Sequence, residues 1–195
     1  MQEFVNNIIS NLQNISASLP FIYSILFSFF IVAIESILPM LPLGVFIALS
    51  MVLLGNILGF FVSWIATITG CLLSFIFVRK FFYNKFSKRM EKKEKSRKLV
   101  KGINKLSFSS FVVITALPFT PAFVINIVCG LSKMSMKKFI SGILIAKIFI
   151  VYFWGFIGTT FLQSVTDIKV LIELLVMLIA AYILSKLAMK KYNID

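Results

Sequence analysis

Few residues in this chain can do chemistry, and Glu35 is the sharpest of them. It follows an apolar run at 19–34 and precedes the proline pair Pro39 and Pro42 of the motif LPMLP. A charged group inside a bilayer is costly, so a carboxyl kept there usually faces a cavity and often changes protonation state; such a group can carry a coupling proton. The competing reading puts Glu35 at the outer interface as a plain helix end. Lys147 is second. In a helix starting near Met136 it lies about 16 Å along the axis at 1.5 Å per residue. At that depth it pairs with Glu35, binds a phosphate, or snorkels to the interface. A second proline pair, Pro118 and Pro121 in LPFTP, is surrounded by Thr115, Thr120 and Asn126. Those polar groups either coordinate a head group or satisfy the backbone that proline leaves broken.

These residues sit in a chain of 195 residues that is 59% hydrophobic and 14% charged, against about 45–50% and about 25% in an average soluble domain. Lys and Arg total 20 against 7 acids, and 12 of the 20 fall between Arg79 and Lys105. A soluble domain, a disordered tail and a disulfide scaffold are thereby excluded. The pattern is that of one all-α polytopic membrane domain, 1–195. The basic residues flank apolar spans, so they read as topology signals and not as a nucleic-acid surface. With no His, the usual metal ligand and the usual general base are missing. No cofactor, no metal and no enzymatic activity are expected. Cys71 and Cys129 lie in apolar stretches without a CxxC pair and read as small buried hydrophobes. The first residues lack Lys and Arg, so they do not read as a secretory signal peptide.

The apolar blocks are 19–34, 36–78, 106–131, 139–162 and 170–189. The basic segment 79–105, with 12 basic and 2 acidic residues, is expected on the cytoplasmic side, as are Lys133, Lys137 and Lys138. The block 106–131 lies between two segments on the same side. It is therefore expected to enter and leave on that side, turning near Pro118 and Pro121. The block 139–162 then crosses outward, exposing Asp167, and 170–189 returns with a cytoplasmic C-terminus. The N-terminus also comes out cytoplasmic, although it has no basic residue. Arg79 ends its span and reads as a snorkelling side chain, and Glu173 beside Lys169 as interfacial. Within 79–105, Phe81, Phe82, Phe86, Met90 and Leu99 interleave with Lys. The segment is either a surface helix that gathers anionic lipid, at about 1 kcal/mol per basic residue, or a topology anchor alone.

The proline motifs align with each other at an offset of 79 residues, and each precedes a Gly-containing span: Gly55, Gly59 and Gly70, then Gly142, Gly155 and Gly158. The expected fold is an inverted repeat of a proline-containing re-entrant hairpin followed by a transmembrane helix, plus a C-terminal transmembrane helix. The first repeat is 19–78, re-entrant near 36–54; the second is 106–162, re-entrant at 106–131. Inverted repeats of this kind place substrate sites at their interface. Two unrelated proline kinks are the competing account.

The ordered set Glu35, Pro39, Pro42, Gly55, Gly59, Gly70 and Arg79, followed by PFTPAFVIN with Pro118, Pro121, Asn126 and Gly130, then Gly142 and Gly158, resembles the VTT-domain family. That family is also called the SNARE-associated Golgi proteins, with the DedA-like proteins as its bacterial branch. Many members carry Arg where this chain has Thr115. The resemblance implies a multi-pass protein of the bacterial cell membrane. It also implies translocation of a lipid or lipid-linked phosphate, with some members ion-coupled. Membrane lipids, anionic phospholipid or undecaprenyl phosphate among them, would be the partners, and a homo-oligomer stays open. The alternative is a non-transporting membrane protein with a structural or assembly role.

Overall fold

A computed structural model describes residues 20–38, 43–83, 94–163 and 167–191, with the single residues 7 and 10. Hydrocarbon cannot hydrogen-bond a peptide group, so long apolar runs close their bonds internally as helices. The described residues form eight: α1 (Phe21–Ile37), α2 (Leu43–Leu54), α3 (Asn56–Phe81), α4 (Glu94–Lys105), α5 (Phe108–Ala116), α6 (Ala122–Leu131), α7 (Met136–Gln163) and α8 (Ile168–Lys191). Among the described residues there is no strand. Three helices, α3, α7 and α8, are long and apolar enough to cross a membrane. The nine residues of α5 and ten of α6 reach only about 14 and 15 Å at 1.5 Å per residue.

α3 and α7 run antiparallel through the centre. Phe75 stacks on Phe139 with ring centroids 4.2 Å apart, and Trp64 Nε1 donates to the Leu144 carbonyl at 3.1 Å. α1 runs parallel to α3, with Val32 and Ala33 against Ala66 and Ala33 and Ser36 against Gly70. α5 runs parallel to α7, with Phe111 on Gly142 and near Phe139. The short second member of each pair reaches across. α2 packs Gly44, Ala48 and Met51 on Trp154, Gly155 and Gly158 of α7, while α6 sets Gly130 on Phe75 and Val78 of α3. One asymmetry stands out: α2 also packs on its own neighbour α3, whereas α6 has no comparable contact with α7.

Gly55 is the whole joint between α2 and α3. It has φ 78 and ψ 163, a region open essentially only to glycine. One turn on, a Cβ at Gly59 would lie 2.6 Å from the Met51 Cα and 2.7 Å from the Ser50 carbonyl oxygen. Both are backbone atoms and cannot rotate away. Gly59→Ala is therefore expected to destabilise the protein by about 1–3 kcal/mol, read as a lowered thermal midpoint in detergent.

One expectation is revised here. The run 19–34 was expected to close at Glu35, but α1 continues through Glu35 and Ser36 to Ile37. Ser36 Oγ donates to the Val32 carbonyl at 2.9 Å, which folds its polar group into the helix. Within the segment 79–105, residues 94–105 are helical; Val100 packs on the protein core, while Phe81 is exposed. Ile103 and Leu106 join Phe75, Phe111 and Phe139 in the largest core cluster. Phe86, Met90, Pro39 and Pro42 lie outside the described residues. Cys71 and Cys129 are free thiols in the core.

Candidate functional site

Both ends of the segment 106–131 lie at one end of the molecule. Lys138 Nζ donates to the Leu106 carbonyl at 2.6 Å, and the Lys133 N–H donates to Asn104 Oδ1 at 2.9 Å. Arg79, at the end of α3, holds the far side of α6. Its guanidinium donates to the carbonyls of Gly130 (3.2 Å), Met134 (2.8 Å), Cys129 (3.0 Å) and Ser132 (2.8 Å). It also stands 4.4 Å over the Phe75 ring. The last carbonyls of a helix have no partner within the helix, and here one side chain supplies it. The snorkelling role expected for Arg79 is thus replaced by a clamp.

From that end α5 and α6 run inward to a break at 117–121. Pro118 and Pro121 have no N–H, and no side chain caps the start of α6 at Pro121. The Thr120 N–H reaches the Leu117 carbonyl at 3.2 Å and the Ile125 N–H the Pro121 carbonyl at 3.1 Å. Around this break the predicted polar residues behave differently. Thr115 donates its hydroxyl to Phe111 of its own helix at 2.7 Å. Thr120 Oγ1 and both polar atoms of Asn126 are buried with no hydrogen-bond partner among the described residues. Asn126 is 1% exposed. A buried amide with four unused hydrogen-bonding positions costs free energy unless a ligand or water serves it.

The two candidate charges are both inside the protein. Glu35 is 7% exposed and Lys147 only 2%. Lys147 does not reach an interface. It is held in the middle of α7 between Ile143, Ala146, Ile150 and Val151, all buried. Glu35 comes from the first half of the chain and Lys147 from the second. They form no direct ion pair among the described residues, but Lys147 is near enough for its charge to act on the Glu35 carboxyl. The register of the helices sets both at mid-depth. Glu35 lies beside the Gly70 level of α3, and Lys147 lies one turn past Leu144, which is bonded to Trp64. The structure therefore brings Glu35 and Lys147 into one electrostatic neighbourhood and leaves Asn126 and Thr120 unserved beside the second break. Arg79 is the functional residue that local sequence reasoning misread. Its partners lie 50–55 residues away, and no periodicity carries that information.

Known proteins place the chain in context. The VTT domain family profile matches residues 41–160. The chain is similar to the Bacillus subtilis (strain 168) "Uncharacterized membrane protein YhjE", with 30% identity over 78% of this chain and 74% of that protein. It is also similar to "Uncharacterized protein YqeD" of the same organism, with 26% identity over 65% of this chain and 61% of that protein. No solved structure matches the chain.

Proposed function

The chain belongs to the VTT domain family of membrane proteins, and from that premise we propose that it moves a lipid or lipid-linked phosphate between the leaflets of a bacterial cell membrane. The observation that carries this reading is the pair of buried ionisable side chains, Glu35 and Lys147, one from each half of the chain. A protein with a purely structural role gains little from them, because ions taken out of water are expensive and packed apolar side chains serve stability at least as well. A group that must meet a charged head group at mid-depth needs such residues.

In this reading the segment near 36–54, with α2, and the segment 106–131, with α5 and α6, are the two re-entrant segments, entering from opposite faces as an inverted repeat. The cross-packing of α2 on α7 and α6 on α3 supports it. So do the hydrogen bonds that gather both ends of 106–131 at one end of the molecule. The basic segment and the C-terminus face the cytoplasm by their charge. The broken ends near 117–121, Asn126 and Lys147 receive the head group. Glu35 carries the coupling proton, and one repeat rocks against the other. No bond is made or broken.

The test is leaflet exchange in proteoliposomes, with fluorescent phospholipid and undecaprenyl phosphate at two pH values. Protein-dependent exchange of either lipid supports the reading. Exchange equal to that of empty liposomes for both turns it toward the structural or assembly role. One variant separates function from folding. Asn126→Leu removes a buried amide whose polar atoms are unpartnered, so it is expected to stabilise the apo-protein by about 1 kcal/mol. The same change should depress exchange. Thermal unfolding and the exchange assay, run side by side, check both signs.

A further inference from the structure

We infer that the groove between the last turn of α1, the C-terminal half of α3 and α6 is the seat of a hydrocarbon chain of an anionic lipid, drawn from the leaflet on the basic side. This deepens the translocation reading and rests on it. The groove holds about 590 Å³ and is walled by Leu38, Leu73, Phe77, Phe123, Ile127 and Leu131 among others. That volume falls within the range of about 300–1,000 Å³ typical of ligand pockets. The one polar side chain in its lining is Ser74, whose hydroxyl is buried without a partner. A second cavity, of about 380 Å³ at the opposite end between α3 and α7, is different in kind, with Asn56, Tyr152 and Thr159 in its wall.

Position distinguishes the groove from the ordinary lipid-facing surface. At one end it begins at Phe82 and Leu131, beside Arg79 and the exposed Lys80 and Lys133. At the other it reaches Leu38, which directly precedes 39–42, and Phe123, which directly follows the break at 117–121. A continuous apolar track therefore joins the basic end of the molecule to Leu38 and to Phe123 beside the break at 117–121. A chain entering it leaves hydrocarbon for hydrocarbon, so the hydrophobic effect supplies no selection. Selection comes from shape and from the charge at the mouth. Lys80 and Lys133 stand exposed at that mouth, and cations there favour an anionic head group.

The experiment uses the full chain in phosphatidylcholine liposomes doped with phosphatidylglycerol that carries a diazirine on its acyl chain. After irradiation, labelled peptides are mapped by mass spectrometry. The label is expected to concentrate on 73–82 and 123–131, and unlabelled phosphatidylglycerol should suppress it where extra phosphatidylcholine does not. Ile127→Trp, which fills the groove, and Leu73→Trp, at a half-exposed position that tolerates bulk, should each reduce that label by about tenfold or more, the discrimination that a single methylene of fit supplies in an apolar pocket. Leu187→Trp on the exposed face of α8 should change nothing. Label spread over every lipid-facing helix, label indifferent to both groove variants, or equal suppression by phosphatidylcholine overturns the proposal. Groove label without leaflet exchange upholds the site and removes the translocation reading. Exchange that survives without groove label does the reverse.

Discussion

Arg79→Ala is expected to lower the stability of the folded protein by about 3 kcal/mol, since a hydrogen bond to a charged group contributes about 1.5–3 kcal/mol and the four made here share one guanidinium and do not add in full. The four carbonyls, on residues 129, 130, 132 and 134, end α6 and turn the chain toward α7. Without the guanidinium the Cys129 carbonyl keeps the Ser132 N–H and hydroxyl, while the Gly130 carbonyl is left beside Phe75 and Val78. Arg79→Lys should recover less than half of the loss. An ammonium is a compact point charge, whereas the planar guanidinium presents a fork wide enough for carbonyls on both sides. Thermal unfolding in detergent measures both variants. An Arg79→Ala midpoint equal to wild type would mean that water or lipid already serves those carbonyls and that the clamp adds nothing.

Glu35→Gln is expected to abolish the pH dependence of leaflet exchange and to slow it by about tenfold or more, because about 1.4 kcal/mol at the barrier is already a factor of ten. The substitution keeps the shape of the side chain and its place in α1. It removes the carboxylate on which the charge of Lys147, itself 2% exposed, acts. Removing one partner of a buried charged pair costs about 3–5 kcal/mol when the contact is direct. The cost is smaller here because the two do not touch. Lys147→Met alone should slow exchange for the complementary reason. The double variant should regain stability over either single one while remaining slow, which a solely structural pair would not do. Exchange in Glu35→Gln with unchanged rate and unchanged pH profile would remove Glu35 from the mechanism.

The long helices were legible before any coordinates. The run 170–189 is α8, Ile168–Lys191, and 139–162 is α7, Met136–Gln163. Each apolar run of about 20 residues has one low-energy form in lipid, and its charged flanks mark where that form must stop. The break at 117–121 was legible too, because two prolines remove two donors within four positions. For Glu35 two readings stood open, a carboxyl facing a cavity or a plain helix end; it is buried, in the last turn of α1. Only packing against Gly70 shows that the helix continues past it. Helix α4, within the segment 79–105, turns Val100 and Ile103 onto the protein core. An amphipathic pattern specifies that one face leaves water, not what receives it.

The sequence by itself determined that this is a helical membrane protein of the VTT domain family, where its long helices run and where one of them breaks. These are local consequences of apolar runs, prolines and charge. Only the tertiary structure decided that Arg79 holds the end of α6, that Lys147 is buried in the middle of α7 near Glu35, that Thr115 bonds back to its own helix while Asn126 is left unserved, and that a groove runs from the basic end to Leu38 and the break at 117–121. Each of these depends on residues brought together across tens of positions in the chain. Such contacts are set by how glycines let helices approach and by which polar groups find a partner once water is gone, and neither is written in any single stretch of sequence.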